Sequence, residues 1–256
     1  MRRKDERHGG LLRIVAERGR ADVAELAAEL AVSTATVRRD LDQLAEQRLL
    51  IRTRGGAVAG DVAHDLPLRY RMARRAPEKS RIAEAVAALV EPGWVVGLNG
   101  GTTTTEIARA LGGRGELGGG ITVVTNALNI AHELAVWQHV KLVVTGGVAR
   151  SRSFELTGPL ATRVLDEIAV DLLVLGVDAL DPRAGAFAHH EGEASINRLM
   201  VDRSARVVAA ADSSKLGRRA FAGICPISAV DTVVTDAALS EPLATAFAAV
   251  TTLHTV

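Results

Sequence analysis

Two periodicities divide this chain. Between residues 23 and 47 apolar side chains recur every three to four positions, as on one face of a helix, whereas beyond residue 93 short apolar runs alternate with helical stretches. In the first region Leu26, Ala27 and Leu30 give one helix an apolar face, and Asp22 with Glu25 three positions later forms a capping box at its start. Residues 31–33 read as a turn. Ser33 is a good N-cap for a second helix over 34–47, on which Val37, Leu41 and Leu44 face inward. The other face is polar and presents Thr34, Thr36, Arg38, Arg39 and Gln43. Residues 49–51 are apolar and lead into Arg52, Thr53 and Arg54 beside Gly55 and Gly56, a basic arm at a flexible diglycine.

The later runs, 94–98, 122–125, 141–145, 171–175, 206–210 and 231–235, are candidate strands with helical patterns between them. Ahead of them a helix over 78–90 places Ile82, Val86 and Leu89 on one face. The expected fold class is therefore α/β: a small N-terminal winged helix-turn-helix domain (1–60) and a larger α/β domain with a mostly parallel sheet (78–256). Residues 61–77 between them lose periodicity and gain Pro67, Pro77, Arg69, Arg71, Arg74 and Arg75. They read as a basic linker, a solvated connector in preference to a second DNA-contacting arm.

Composition narrows the function classes. With 256 residues and 48% apolar content the chain has room for one small and one larger core. Its net charge of +1 hides an asymmetry: residues 1–60 carry 12 Lys and Arg against 9 Asp and Glu, and the remainder 19 against 21. That modest positive field favours more than one copy of the chain per nucleic-acid site. Cys225 is the only cysteine, which excludes an intrachain disulfide and a cysteine-held metal; beside Pro226 it reads as a packed thiol in a reducing cytoplasm. No apolar run reaches the length of a membrane span, and the basic start MRRKDERHGG precedes no long apolar segment. His189, His190 and Glu191 invite a metal reading, but adjacent side chains in a strand point to opposite sides and no second ligand cluster accompanies them, so none is expected.

Chemistry is sought at two places. On the second N-terminal helix, hydroxyls and guanidiniums suit a major groove, while Arg52 and Arg54 suit a phosphate backbone or minor groove, so Ser33, Thr34, Thr36, Arg38, Arg39, Gln43, Arg52 and Arg54 are the candidate contacts to double-stranded DNA. The competing reading is an ordinary helical hairpin with a solvated Arg-rich face. In the larger domain ligands belong at the carboxyl ends of strands. The first run is followed by Asn99-Gly100-Gly101-Thr102-Thr103-Thr104, where glycines admit an anion, helix-start amides point at it and hydroxyls add donors. Alternatively it is a turn with a Thr cap. It has neither the Lys of a P-loop nor a GxGxxG pattern, so no nucleotide cofactor is implied. Thr125-Asn126, Gly146-Gly147, Asp178, Glu193 and Lys215 fall near other strand ends and complete a mixture suited to a phosphate and hydroxyls.

These features resemble the DeoR family of bacterial transcriptional regulators. The N-terminal likeness rests on Val32-Ser33, on Thr36-Val37-Arg38-Arg39-Asp40-Leu41 and on Gly55-Gly56-Ala57-Val58, with departures at Arg48 and Arg54, where the family usually has Gly and His. The likeness of the rest rests on Glu78-Lys79, Gly101-Thr102-Thr103, Thr125-Asn126, Thr145-Gly146-Gly147, Glu193-Ala194, Ser214-Lys215 and Thr235-Asp236. It departs at Asn99-Gly100, where the family commonly has Asp-Ser. The resemblance implies a ribose-5-phosphate isomerase-like fold for the larger domain, a phosphorylated sugar or sugar alcohol as effector, a homo-oligomer, and a repressor of a carbohydrate uptake or catabolism operon. The rival class is an isomerase or lactonase of that fold with a DNA-binding appendage. Leu175 stands where the isomerase pattern has the first of two carboxylates flanking the glycine, and only Asp178 fits the second, which disfavours catalysis.

Overall fold

The computed structural model describes residues 2–47, 49–58, 68–72, 75–115 and 119–256, and Arg48, Pro67, Arg74 and most of the expected linker lie outside the described residues. The chain divides into two compact units, Met1–Arg74 and Arg75–Val256.

In the first unit α1 (Arg2–Arg18), β1 (Arg20–Asp22), α2 (Val23–Glu29), α3 (Thr34–Glu46), β2 (Ile51–Arg52), β3 (Gly56–Val58) and α4 (Leu68–Arg71) follow in order. The three strands form an antiparallel sheet in the order β1-β3-β2. Leu26 of α2 and Val37, Leu41 and Leu44 of α3 are fully buried, together with Leu11 and Ile14 of α1. Periodicity did not reveal α1, because Gly9-Gly10 interrupts the apolar pattern; Leu30 packs over Gly10, where a Cβ would lie 2.8 Å from Leu30 Cδ2 and displace that methyl. The Asp22 amide reaches Glu25 Oε2 at 3.5 Å, the reach-back arm of the expected capping box. The turn is closed by Ala31, left-handed at φ 51, with the Val32 amide donating to the Ala27 carbonyl at 3.0 Å. The diglycine is not there for flexibility: a Cβ on Gly56 would stand 2.0 Å from the Ala21 carbonyl oxygen, so glycine is what lets β3 lie against β1.

One buried polar contact fixes α3 on α1. Asp40, on the inner side of α3, accepts from Arg7 Nε at 2.5 Å and Nη2 at 3.1 Å, and His8 Nε2 lies 3.0 Å away. Burial pushes the Asp40 pKa up, but hydrogen bonds from Arg7 and His8 outweigh it and hold the carboxyl below its ordinary value.

The second unit opens with α5 (Ala76–Ala87), which begins ahead of the expected start because Pro77 is tolerated in a first turn whose amides lack helical partners anyway. Leu89 falls beyond its end and is exposed. Then come β4 (Val95–Leu98), α6 (Thr102–Gly112), β5 (Ile121–Thr125), α7 (Leu128–Leu134), β6 (Val140–Val144), a hairpin of β7 (Val148–Ala149) and β8 (Leu156–Thr157), α8 (Pro159–Asp166) and β9 (Leu172–Gly176). The remainder is β10 (Ala179–Asp181), β11 (Gly185–Ala188), α9 (Glu191–Asp202), β12 (Val207–Ala210), β13 (Ala222–Cys225), β14 (Thr232–Thr235), α10 (Glu241–Ala248) and β15 (Thr252–Thr255). The six expected strands are present in a seven-stranded parallel sheet of order β15-β14-β12-β9-β4-β5-β6. The seventh, β15, is a mostly polar edge strand with no apolar run to announce it.

Alternate side chains of each central strand enter two cores. Val96, Leu98, Val123, Leu172 and Val174 pack with α5, α6 and α7, while Val124, Leu173, Leu175, Val207 and Ala209 pack with α8, α9 and α10. The sheet grows from β4 to β5 and β6 on one side and from β9 to β12, β14 and β15 on the other, so the order reverses between β4 and β9. A crevice is expected at their carboxyl ends.

Asp40→Ala is expected to cost the first unit about 3 kcal/mol, because it strands the Arg7 cation and His8 beside a buried gap. Urea denaturation of the intact chain measures it. Because Asp40 has a lowered folded pKa, its contribution is complete above the unfolded value near about 4 and is lost as pH falls through the lower folded value.

Candidate functional sites

At the head of α3 the Ser33 hydroxyl accepts from the Thr36 amide at 3.1 Å and lies 2.9 Å from the Thr36 hydroxyl, so both residues are engaged in the cap. Thr34, Arg38, Arg39 and Gln43 are exposed, and neither arginine forms an ion pair among the described residues. The two arginines therefore present uncommitted guanidiniums on an exposed helix face. Arg54 is exposed on the wing tip. Arg52 is half-buried; its Nε donates to Asp42 at 2.7 Å and its Nη1 to the Gly56 carbonyl, so it braces the wing against α3.

At the sheet reversal Asn99 bridges the two strand ends: its Nδ2 donates to the Gly176 carbonyl at 2.9 Å and its Oδ1 accepts from the Gly176 amide at 2.7 Å. Gly101, at φ 142, starts α6. The Thr104 and Thr105 hydroxyls turn back to the Gly101 carbonyl at 3.2 and 2.5 Å. Thr102 and Thr103 are buried, and Thr103 Oγ1 has no hydrogen-bond partner among the described residues. The amides of this first turn have no helical acceptor within α6. After β9, the Val177 carbonyl accepts from Lys215 Nζ at 2.6 Å. Asp178 Oδ2 accepts from the His189 amide at 2.9 Å, and Leu175 is wholly buried in the second core.

The Thr125 hydroxyl accepts from the Ala127 amide at 3.1 Å. Fully buried Asn126 donates from Nδ2 to Glu155 Oε2 at 3.1 Å, while its Oδ1 has no partner among the described residues. Gly146 and Gly147, at φ 73 and 116, shape the start of the β7–β8 hairpin, and a Cβ on Gly147 would meet the Thr157 carbonyl at 2.8 Å. Across that hairpin Arg150 Nε stands 3.3 Å from Glu193 in the first turn of α9, and Arg150 Nη1 is buried with no hydrogen-bond partner among the described residues. Arg150 and Glu155 were not anticipated from sequence. Their one signal is a carboxylate set between Phe154 and Leu156, which a surface loop seldom encloses.

The Lys215 turn is itself anchored. Ser213 donates to Asp236 through its amide at 2.7 Å and its hydroxyl at 2.9 Å, and Arg75 lies 3.6 Å from Asp236, 3.7 Å from Asp212 and 3.1 Å from the Ser213 hydroxyl. Burial raises the Asp236 pKa, and the Ser213 hydrogen bonds, helped by Arg75, more than reverse this. His190 caps α9 by accepting from the Gly192 amide at 3.0 Å, and among the described residues no group of three His, Cys, Asp or Glu is placed to hold a metal. Burial pushes the Cys225 thiol up to about 11, as expected of a packed cysteine. A groove of about 660 Å³ between α5 and α6 is lined by Ser80, Ala83, Ala87 and Arg109 among others, and none of the residues singled out for a ligand lines it.

A winged helix-turn-helix with free arginines on its second helix, in one chain with a doubly wound α/β unit that gathers donors at its switch point, defines a DNA-binding transcriptional regulator. Residues 7–62 match the profile of the DeoR-like helix-turn-helix domain and residues 74–237 that of the DeoR C terminal sensor domain. The glycerol-3-phosphate regulon repressor of Escherichia coli is 33% identical over 92% of both chains, and the HTH-type transcriptional regulator GlpR of Haloferax volcanii 35% identical over 91% of this chain and 90% of its own. This chain belongs to the DeoR family. Among solved structures, ribose 5-phosphate isomerase A of Methanocaldococcus jannaschii is similar at 23% identity and TM-score 0.41, over 54% of this chain and 53% of its own, a distant likeness. Among the described residues no helix is long and apolar enough to cross a membrane.

Asn99→Ala should destabilise the second unit by about 1–3 kcal/mol, since it leaves the Gly176 amide and carbonyl without these partners at a closed seam. Thermal or urea unfolding reads this directly.

Proposed function

We propose that the protein is a cytoplasmic repressor of an operon for uptake or catabolism of a carbohydrate, released from operator DNA by a phosphorylated sugar or sugar alcohol. Thr34, Thr36, Arg38, Arg39 and Gln43 would face the major groove, with Arg54 on the backbone or minor groove and Ser33 and Arg52 holding helix and wing in place. The effector would lie across the β4–β9 reversal, its phosphate at Gly100, Gly101, Thr102 and Thr103 with Lys215 alongside, and its hydroxyls toward Asn126, Asp178 and Glu193. The observation that carries this reading is the buried Thr103 hydroxyl and Asn126 carbonyl oxygen, both without partners among the described residues, at the carboxyl ends of neighbouring strands by the switch point. Names of relatives agree with it: the Escherichia coli relative is named for glycerol 3-phosphate, while the L-fucose operon activator of Haemophilus influenzae, 30% identical, marks activation as the second possible sign.

Coupling requires that the effector bind the DNA-competent and DNA-incompetent arrangements unequally. Arg75, the first residue of the second unit, supports a route. It sits in left-handed conformation at φ 50, a cost of order 1 kcal/mol for a non-glycine residue, and its guanidinium is held by the turn that carries Lys215. The small positive excess of the first unit supports an oligomer that engages two half-sites.

Fluorescence anisotropy on the chain's own upstream DNA, titrated with sugar phosphates and their unphosphorylated parents, tests the whole reading; turnover of a panel member without specific DNA binding would replace it with the enzyme. Arg38→Ala or Arg39→Ala should weaken operator binding by about 1–3 kcal/mol if the side chain reads a base, or flatten the salt slope by about one if it meets only phosphate. Lys215→Ala should abolish effector-induced release at effector concentrations that release the parent chain. Arg75→Ala should leave effector binding measurable by calorimetry while reducing the release it produces.

A further inference from the structure

We infer that the outer edge of β6 is the surface through which two copies of this chain join, strand against strand about a twofold axis, so that their parallel sheets run on as one. The inference deepens the oligomer part of the proposed function and rests on it, independently of the effector site.

The two edges of the seven-stranded sheet are built differently. β15 closes one side with Thr252, His254 and Thr255, a polar row of the kind that protects an edge. β6 closes the other with Val-Lys-Leu-Val-Val, and none of its four apolar residues is fully buried, whereas all four residues of β12 are. An apolar edge with one charge, at Lys141, and neither proline nor bulge is a template for another strand.

The backbone of β6 is arranged to receive one. Its ladder to β5 begins with the Ile121 amide donating to the His139 carbonyl at 2.9 Å and ends with the Thr145 amide donating to the Thr125 carbonyl at 3.1 Å. Odd-numbered positions therefore bond inward. Leu142 and Val144 turn both amide and carbonyl outward, where no backbone group among the described residues pairs with them.

The surroundings are apolar as well. Leu128, Val136, Trp137, Val144, Val148 and Leu160 are six of the ten exposed large apolar side chains among the described residues, and all six fall in the segment 128–160 that flanks β6. At roughly 100 Å² apiece, six such side chains from each of two copies reach the area of about 1,200 Å² at which specific, stable interfaces begin.

A second copy is the occupant that fits. Antiparallel pairing with Leu142 opposite Val144 of the second copy engages all four outward groups of each strand. Val143 then stands opposite its own counterpart at the twofold axis, and Lys141 falls opposite Thr145, so the strand's one charge does not meet itself. Leu142 belongs to one core of the sheet and Val143 to the other, which makes the join apolar on both faces. An isologous contact of this kind also supplies the twofold symmetry that two recognition helices need to reach two half-sites.

Sedimentation equilibrium of the intact chain and of its Val144→Pro and Val144→Lys variants reads the assembly. At an outward-facing edge position proline removes a donor to the second copy while leaving the β5 ladder intact, and lysine sets like charges at the join. The parent chain is expected to sediment as a dimer or an even multiple of one, and both variants at half the parent mass with unchanged far-UV circular dichroism. In a Cys225→Ser background, Val143→Cys should form a linked dimer on treatment with diamide, two thiols giving one disulfide as their two electrons and two protons pass to the reagent. Lys141→Cys should not, because its counterpart lies about 13 Å along the paired strand. A monomeric parent chain overturns the oligomer reading and the inference together. An oligomer whose mass both Val144 variants leave unchanged, or one that Val143→Cys fails to link, overturns the inference alone. Should Val144→Pro fail to fold, Val144→Lys and the two cysteine variants still decide.

Discussion

The second unit depends on a pair of hydrogen bonds between one side chain and one peptide group. Where the sheet order reverses, β4 and β9 leave the ladder and their loops part in opposite directions, so backbone can no longer satisfy backbone. Asn99 replaces the missing strand partner, offering Gly176 a donor and an acceptor in the spacing a peptide would have used. The position of the α6 start relative to the Val177 carbonyl, and through that carbonyl the position of Lys215, follows from this seam. Residues 99 and 100 mark a departure from the family's common pattern, and here that departure has a structural meaning: an amide serves the seam better than a carboxylate, which could not donate to a carbonyl.

In the first unit Asp40 plays the corresponding part. Apolar packing by Leu41, Leu44 and Leu26 drives α3 against α1 and α2 but tolerates sliding, whereas a carboxylate gripped by Arg7 and His8 sets the rotation of the helix about its own axis. That rotation decides whether Arg38 and Arg39 face outward. In both units, then, burial supplies the stability and a directional polar contact sets the geometry on which recognition depends.

The β7–β8 hairpin shows how a pocket acquires character from a segment remote in sequence. The amide-rich start of α6 is generic to anions. The hairpin that follows the Gly146-Gly147 bend brings Arg150 to within 3.3 Å of Glu193 and Glu155 to within hydrogen-bond reach of Asn126. The two glycines thus shape the wall that holds these side chains.

The sequence by itself determined the helix-turn-helix with its cap at Ser33, the six strands with apolar runs, their arrangement as an α/β sheet and the loops worth searching, because periodicity and capping are local and register within a few residues. It did not reveal α1, whose short apolar stripe is interrupted by Gly9 and Gly10, or β15, whose edge position asks for no apolar run. Nor could it separate the residues at the strand ends by role. Asn99, Ser33 and Arg52 have the chemistry of ligand contacts, yet their polar atoms are engaged by groups brought near only on folding, while Glu155 looked like any loop glutamate until the hairpin placed it over Gly100. Residue type limits what a side chain can bond; which bonds it makes was decided by the tertiary structure, because partners 77 positions apart, as Asn99 and Gly176 are, meet only when the sheet has formed.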